Sequence, residues 1–295
     1  MTRTVNRHQR GVAVVIGSGS VKCAAALGLV NALNRAGIAI DMLVGCSAGC
    51  LYATMIAAGR TTAEAAEMTR LLWTSEIAAQ HDRRAVFRAM FPKLLGFDAR
   101  FGLRSDRLIM QRLRTAFGDM RIEDMKIPLH LTATDFATGN QAVFSSGPAI
   151  DAIRASIAVP FLFSPWSIDG RLYLDGYMSD PLPVGVAIKE GAGVIVAMGF
   201  ESPYQEHIST AGRFAFQVSA ILSNNLLKSQ YSFHALSHHA EIISIIPEFK
   251  QRIKLFATEK IPYIIEEGER AAEAQMPYLD RLLSAQSGAV AGSVA

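Results

Sequence analysis

VAVVIGSGSVKCAAALGLVNALNRAGIAIDMLVGCSAGCLYATMIAAG, residues 12–59, contains two strand-to-helix units in a row. Val12–Ile16 is a short β-branched run that ends in Gly17-Ser18-Gly19, and residues 24–36 have helical composition closed by Gly37. The pattern then repeats. Residues 38–44, with Ile40, Leu43 and Val44, lead into Gly45, and an Ala-rich helix over residues 48–58 is stopped by Gly59. Two successive units of this kind imply a parallel sheet, because the helix carries the chain back so that the next strand starts in the same direction.

Outward from this stretch, residues 61–125 read as helices. Within them residues 85–95 are amphipathic, with Val86, Phe87, Met90, Phe91, Leu94 and Leu95 on one side, which suits either a lid or membrane-facing flap or a helix packed on the core. Residues 129–134 read as a strand, followed by the turn Thr138-Gly139-Asn140 and a second strand through Phe144. Residues 163–168 and 171–174 flank Asp169-Gly170, a two-residue hairpin signal. Further strands are expected at residues 194–199 and 241–246, and helical periodicity at 212–236 and 258–283. No internal repeat is visible. The expected organisation is an N-terminal tail at residues 1–10, an α/β domain over 11–205, a mainly helical C-terminal extension over 206–283 packed on the same domain, and a small, polar tail at 284–295 without fixed structure.

The chain has 295 residues, 50% of them hydrophobic, enough for one large core. Its 29 basic and 26 acidic residues nearly cancel to +3, and no Lys/Arg-rich block suggests a nucleic-acid footprint, so nucleic acid is not an expected partner. A mildly basic chain with 11 Met suits weak attraction to an anionic membrane surface, although a well-filled core gives the same averages. The three cysteines, Cys23, Cys46 and Cys50, form no CxxC pair, and their odd number argues against a disulfide framework and for a reducing, cytoplasmic compartment. The basic start followed by an apolar run could be taken for a signal peptide, but Gly17, Ser18, Gly19, Ser20 and Lys22 interrupt that run. No stretch reaches the ~18–20 uncharged apolar residues that span a bilayer, so contact with lipid is expected from the surface. No metal-ligand spacing appears, and no cofactor is expected.

Gly45-Cys46-Ser47-Ala48-Gly49 matches G-x-S-x-G in its required setting, with an apolar strand before it and a helix after it. A nucleophile on so tight a turn has unfavourable backbone angles, and neighbours without a Cβ keep the turn from clashing. Ser47 would stand at the sheet edge near a helix N-terminus, whose free N–H groups favour developing negative charge. Acyl transfer also needs donors aimed at the oxyanion, and the glycine-rich turn Gly17-Ser18-Gly19-Ser20 exposes backbone N–H groups in a concave arrangement. The competing dinucleotide fingerprint fails at its third glycine, where Lys22 stands, and its acidic partner would have to be Asp41, which precedes the core of the second strand. A second Asp-Gly, Asp175-Gly176, lies at a strand's exit, where α/β sheets present functional groups.

Together these motifs resemble the patatin-like phospholipase family over roughly residues 11–200. Gly17-Ser18-Gly19-Ser20-Val21-Lys22 resembles its oxyanion loop with the basic residue at Lys22. Residues 45–49 resemble its nucleophile elbow, Ala155-Ser156-Ile157-Ala158-Val159-Pro160-Phe161 the segment that precedes its base, and Asp175-Gly176 its Asp-Gly pair. Cys23 departs from the pattern, since the family's loop closes with a glycine there. A Cβ at that position would narrow the loop or change which amide points inward.

The resemblance implies an α/β fold, a three-layer sandwich with a central, mostly parallel β-sheet flanked by helices and a helical C-terminal tail. It implies a lipid acyl hydrolase in which Asp175 takes the Ser47 proton and an acyl-enzyme forms, acting on a phospholipid or other fatty-acyl ester. An aspartate of ordinary pKa near ~4 is a weak base toward a hydroxyl, so such a dyad needs a partly dry site; Val159, Pro160, Phe161 and Phe163 are candidate apolar walls, or plain core. Other readings stay open. The order Ser47, Asp175 and then His207, His234, His238 or His239 fits a Ser-Asp-His triad, although these histidines, His207 apart, fall in a helical pattern. Acyl transfer to an acceptor other than water and a catalytically weak lipid-binding or regulatory protein are the further alternatives, and the apolar helix at residues 214–227 offers a face for a homodimer.

Overall fold

The computed structural model describes residues 12–79, 87, 99, 101–205, 207–236 and 241–291. Residues 85–95, read above as a lid or packed helix, lie outside the described residues apart from Phe87, which is exposed. Strand β1 (Val12–Ile16) enters the glycine loop, a short 3₁₀ turn follows, and α1 is Ala25–Arg35. Strand β2 is Met42–Cys46 and α2 is Ala48–Ala57. The strand begins later than the apolar run because Asp41 ends the preceding loop: its N–H donates to the Val12 carbonyl at 2.9 Å and its carboxylate accepts the Val12 N–H at 2.8 Å.

Helices α3 (Thr62–Leu72), α4 (Ser75–Ala79) and α5 (Arg107–Phe117) precede β3 (Leu129–Asp135) and β4 (Gln141–Phe144), joined by the expected turn. Helix α6 (Ala149–Ser156) leads to the hairpin β5 (Trp166–Ile168) and β6 (Arg171–Asp175), whose turn has positive φ at both Asp169 (49°) and Gly170 (80°). The apolar run at 163–168 yields only a three-residue strand, since Pro165 has no N–H to give a ladder and the Ser164 carbonyl is taken by Arg154. Helix α7 (Val184–Lys189), β7 (Val194–Met198), α8 (Ala211–Leu236), β8 (Glu241–Ile245), α9 (Ile261–Glu273) and α10 (Met276–Ala291) complete the chain. The last helix continues to Ala291, through most of the stretch expected to lack structure.

The described strands form one eight-stranded sheet of order β5-β6-β3-β2-β1-β7-β8, with β4 paired to β3. β3, β2, β1, β7 and β8 run parallel, and β4, β5 and β6 pair antiparallel at one side, so the sheet is mixed. Val12, Val14 and Ile16 of β1 face the layer that holds α1, α2, α5 and α9, whereas Ala13 and Val15 face α7 and Leu227 of α8. The parallel strands are buried on both faces, as the continuous apolar runs required.

The C-terminal helices are part of this body. Helix α9 crosses α1 where two glycines meet: a Cβ on Gly28 would lie 2.1 Å from the Ile265 carbonyl, and one on Gly268 2.2 Å from the Ala25 carbonyl. Neither backbone can retreat without pulling a helix off the sheet. Gly268→Leu is expected to destabilise the protein by about 3 kcal/mol or more, read by denaturant unfolding, whereas a loss under about 0.5 kcal/mol would show that this helix is only loosely attached.

Candidate active site

β2 and α2 meet at Ser47, which is held at φ 54° and ψ −129°, a region that a residue with a side chain rarely occupies. Such a residue typically stores about 1–3 kcal/mol, and it persists only where its surroundings fix it. Two fixtures are visible. A Cβ on Gly49 would stand 2.4 Å from the Ile16 carbonyl, so only glycine lets α2 start this close to the end of β1. The Ser47 N–H donates to Ser156 Oγ at 2.7 Å, and Ser156 Oγ in turn donates to the Thr132 carbonyl at 2.5 Å while accepting the Cys50 thiol at 3.0 Å. Ser156 was quoted in the sequence only as part of a segment. Its role depends on α6 ending beside β3, which no local pattern announces.

The side chain of Ser47 points at β6. Ser47 Oγ donates to Asp175 Oδ2 at 2.8 Å, the other carboxylate oxygen accepts the Tyr177 N–H at 3.1 Å, and the Asp175 carbonyl accepts Thr134 Oγ1 at 2.9 Å. Asp175 is fully buried. Burial pushes its pKa up from 3.8 to about 7, against the opposing pull of the Tyr177 N–H, the Ser47 hydroxyl and the charge of Arg154. That arginine is itself buried, ion-paired with Asp106 and lying over the rings of Phe163 and Trp166. Gly176 follows directly and lets the chain turn against Thr132 and Cys46.

The glycine loop lies across the site, and its amides divide into two sets. The Gly17 N–H donates to the Met198 carbonyl and the Ser18 N–H to the Pro181 carbonyl, both at 2.9 Å, so these two hold the loop in place. Among the described residues the N–H groups of Gly19 and Ala48 have no protein acceptor, and both residues line the cavity in which Ser47 stands. The Ser20 hydroxyl donates to the Leu255 carbonyl and accepts from Trp73 Nε1, tying the loop to the C-terminal part of the chain. Lys22 is turned away: its ammonium donates to the Glu201 carbonyl at 3.0 Å and lies over Phe249, in a separate cleft. Cys23, the departure from the expected glycine, is buried, and its thiol donates to the Gly17 carbonyl at 3.3 Å. It props the loop from behind and leaves the cavity side unobstructed; burial holds the thiol well above its ordinary pKa.

The cavity, about 750 Å³ with its open mouth, is apolar. Val159 and Phe163 line it as expected, together with Ile157 and Leu162 of the same segment, whereas Pro160 and Phe161 line an adjoining space and Phe161 is largely exposed. Trp73, Phe216 and Leu255 close it from distant parts of the chain. No histidine lines it among the described residues, and none bonds the Asp175 carboxylate; the His234 side chain, His238 and His239 lie outside the described residues. Among the described residues no three histidine, cysteine, aspartate or glutamate side chains gather where they could hold a metal ion.

A mixed α/β sheet with a parallel centre, a strained serine at a strand-to-helix elbow and an aspartate at the end of the next strand but one define a class of α/β proteins built like acyl hydrolases. The sequence pattern of the patatin-like phospholipase family matches residues 14–188, more than half of the chain, and the protein belongs to that family. It is 33% identical over 187 residues to an uncharacterised NTE family protein of Mycobacterium tuberculosis, covering 63% of this chain and 48% of that protein. It is 27% identical over 207 residues to patatin-like phospholipase domain-containing protein 6 of Homo sapiens, covering 68% of this chain and 14% of that protein. The chain thus spans about half the length, or less, of these relatives. The crystal structure of VipD from Legionella pneumophila aligns with 95% of this chain and 67% of its own at 13% identity and a TM-score of 0.48.

The raised pKa of Asp175 has a consequence for stability. Folded, the group keeps its proton up to about pH 7; unfolded, it loses it near 3.8, so the native state binds the extra proton between those values and stability falls as pH rises through that window. Asp175→Asn removes this loss. Relative to wild type, the variant's melting temperature should rise by several degrees between about pH 5 and about pH 8, and a difference that does not change with pH would show that Asp175 titrates normally.

Proposed function

We propose that the protein is a serine acyl-ester hydrolase of lipids, with Ser47 as nucleophile and Asp175 as its base. The observation that carries this reading is the 2.8 Å hydrogen bond to a fully buried carboxylate from Ser47 Oγ, on a serine that lines an apolar cavity. A dyad without histidine needs a carboxylate more basic than usual, and burial supplies it by raising Asp175 to about 7. Both oxygens of that carboxylate are engaged, one by the Ser47 hydroxyl and the other by the Tyr177 N–H, which favours the dyad over a triad.

In the proposed reaction, Oγ bonds to the ester carbonyl carbon as its proton passes to Asp175 Oδ2, and the negative charge moves to the carbonyl oxygen. The unpaired N–H groups of Gly19 and Ala48 are placed to receive it; the residue after the nucleophile and a neighbouring loop are the usual sources of such donors. Collapse of the tetrahedral species expels the alcohol, which takes the proton from Asp175, and leaves an acyl-enzyme on Ser47. Asp175 then draws a proton from water as the water oxygen bonds to the acyl carbon, and collapse of this second tetrahedral species breaks the bond to Oγ, which takes the proton back from Asp175 as the fatty acid leaves. The apolar walls hold the acyl chain, and they keep the site dry enough for the hydrogen bonds to act at full strength. On α8, Phe214, Val218, Ile221 and Leu222 are exposed on the helix that also lends Phe216 to the cavity, and we assign them to contact with the surface of the lipid aggregate. No helix among the described residues is long and apolar enough to cross a membrane.

The test is hydrolysis of a short-chain p-nitrophenyl ester and labelling by a fluorophosphonate. Ser47→Ala should lose both, with kcat/KM down by at least about a thousandfold, and Asp175→Asn should lose hydrolysis to a similar extent. Because Asp175 must be ionised to act as base, kcat/KM should rise with pH and level off above about 7, far above the range of an ordinary carboxylate. Hydrolysis that survives Ser47→Ala, or a rising limb near pH 4, would exclude this mechanism.

A further inference from the structure

The Ser47 cavity adjoins a larger space of about 1560 Å³. The two share Val159, Leu162, Pro203, Phe216, Ser219 and Leu255 in their linings, which sets them side by side, within the span of one extended ligand. Their linings differ in charge. The second space carries Arg104, Arg213, Arg252 and Lys254 on its walls and, among the described residues, no acidic side chain.

Arg104 is the most informative of these. Its N–H donates to the Leu162 carbonyl at 3.0 Å, which fixes residue 104 beside the segment that also walls the Ser47 cavity. Its side-chain Nε and Nη1 are buried and have no hydrogen-bond partner among the described residues. Buried guanidinium donors left unpaired are costly, and because the side chain that carries them lines this space, a small turn of the guanidinium toward an anionic oxygen there would satisfy them. Arg213 lines the same space, with Nη1 on the His207 carbonyl at 3.2 Å, and Lys254, which is exposed, lines it too. An arginine fork and a lysine point charge around one opening suit a phosphate.

We propose that this basic vestibule binds the phosphate of an anionic lipid headgroup while the acyl chain lies in the cavity at Ser47. The favoured substrates are then anionic glycerophospholipids over neutral esters, and that consequence for substrate choice rests on the hydrolase reading given above. The binding itself does not. A lipid phosphate is favoured over a free phosphate because the vestibule shares six lining residues with an apolar cavity that only a chain-bearing ligand would fill.

Calorimetric titration of the 295-residue chain carrying Ser47→Ala with decyl phosphate and with decyl maltoside, both below their micellar concentrations, and with inorganic phosphate tests the proposal. Decyl phosphate should bind about tenfold or more tightly than either of the other two probes. In an Arg104→Gln/Lys254→Gln background its advantage over decyl maltoside should fall close to parity; Arg213→Gln/Lys254→Gln, which alters exposed side chains alone, should reduce it about threefold or more and keeps the test readable if the first variant fails to fold. Equal affinity for the two decyl compounds, an advantage that survives these substitutions, or inorganic phosphate binding as tightly as decyl phosphate would each overturn the assignment. If this pattern holds while wild-type protein hydrolyses no ester, the hydrolase reading falls and the anion site stands. If esters are hydrolysed and the pattern is missing, the headgroup assignment alone falls.

Discussion

A hydroxyl can pass its proton to a carboxylate only if the carboxylate is more basic than it would be in water and the two groups are held in contact. In this protein both conditions come together in the hydrogen bond between Ser47 and the buried Asp175. Burial raises the basicity, and the surrounding structure supplies the contact by holding Ser47 in backbone angles it would not choose. Ser156 fixes the serine from its amide side, Thr134 fixes the aspartate from its carbonyl side, and Thr132 on β3 anchors Ser156. β3 is thus the strand against which both reacting groups are registered, since it pairs with β2 on one side and β6 on the other.

The chemistry and the shape of the cavity come from different parts of the chain. Ser47, Asp175 and the loop amides lie within residues 14–188, the part that follows the family pattern. Much of the cavity wall and most of the basic vestibule do not: Pro203, Arg213, Phe216, Arg252, Lys254 and Leu255 are C-terminal to it. The attachment of this C-terminal part is firm, because α9 is seated on α1 through a contact between glycines and Ser20 is bonded to Leu255.

The sequence made the catalytic frame legible wherever a local rule applied. Strand, glycine turn and helix follow one another at β1 and β2, the Gly-x-Ser-x-Gly elbow sits in its required setting, and Asp169-Gly170 forms its hairpin turn. Asp175 could be singled out because a polar residue ends an apolar strand. What escaped notice depends on contacts between remote residues. Nothing near Gly17 indicates that its amide is taken by Met198 while that of Gly19 is left unpaired, and nothing near Lys22 indicates that Glu201 draws it out of the site. Phe161 looked like a wall by its apolar character, yet its positive φ of 66° turns it toward solvent. Cys23 looked like an obstruction because a side chain stands where a glycine was expected, and its thiol points behind the loop, a direction the sequence does not specify.

The account stands or falls on where the acyl group goes. Rapid quenching of wild-type protein with a slowly hydrolysed long-chain ester, followed by intact-mass and peptide analysis, would locate it. An ester adduct on the peptide that contains Ser47, formed and lost at rates consistent with turnover, is the predicted result. Turnover without any such adduct, or an acyl group carried on a cysteine or histidine, would contradict it.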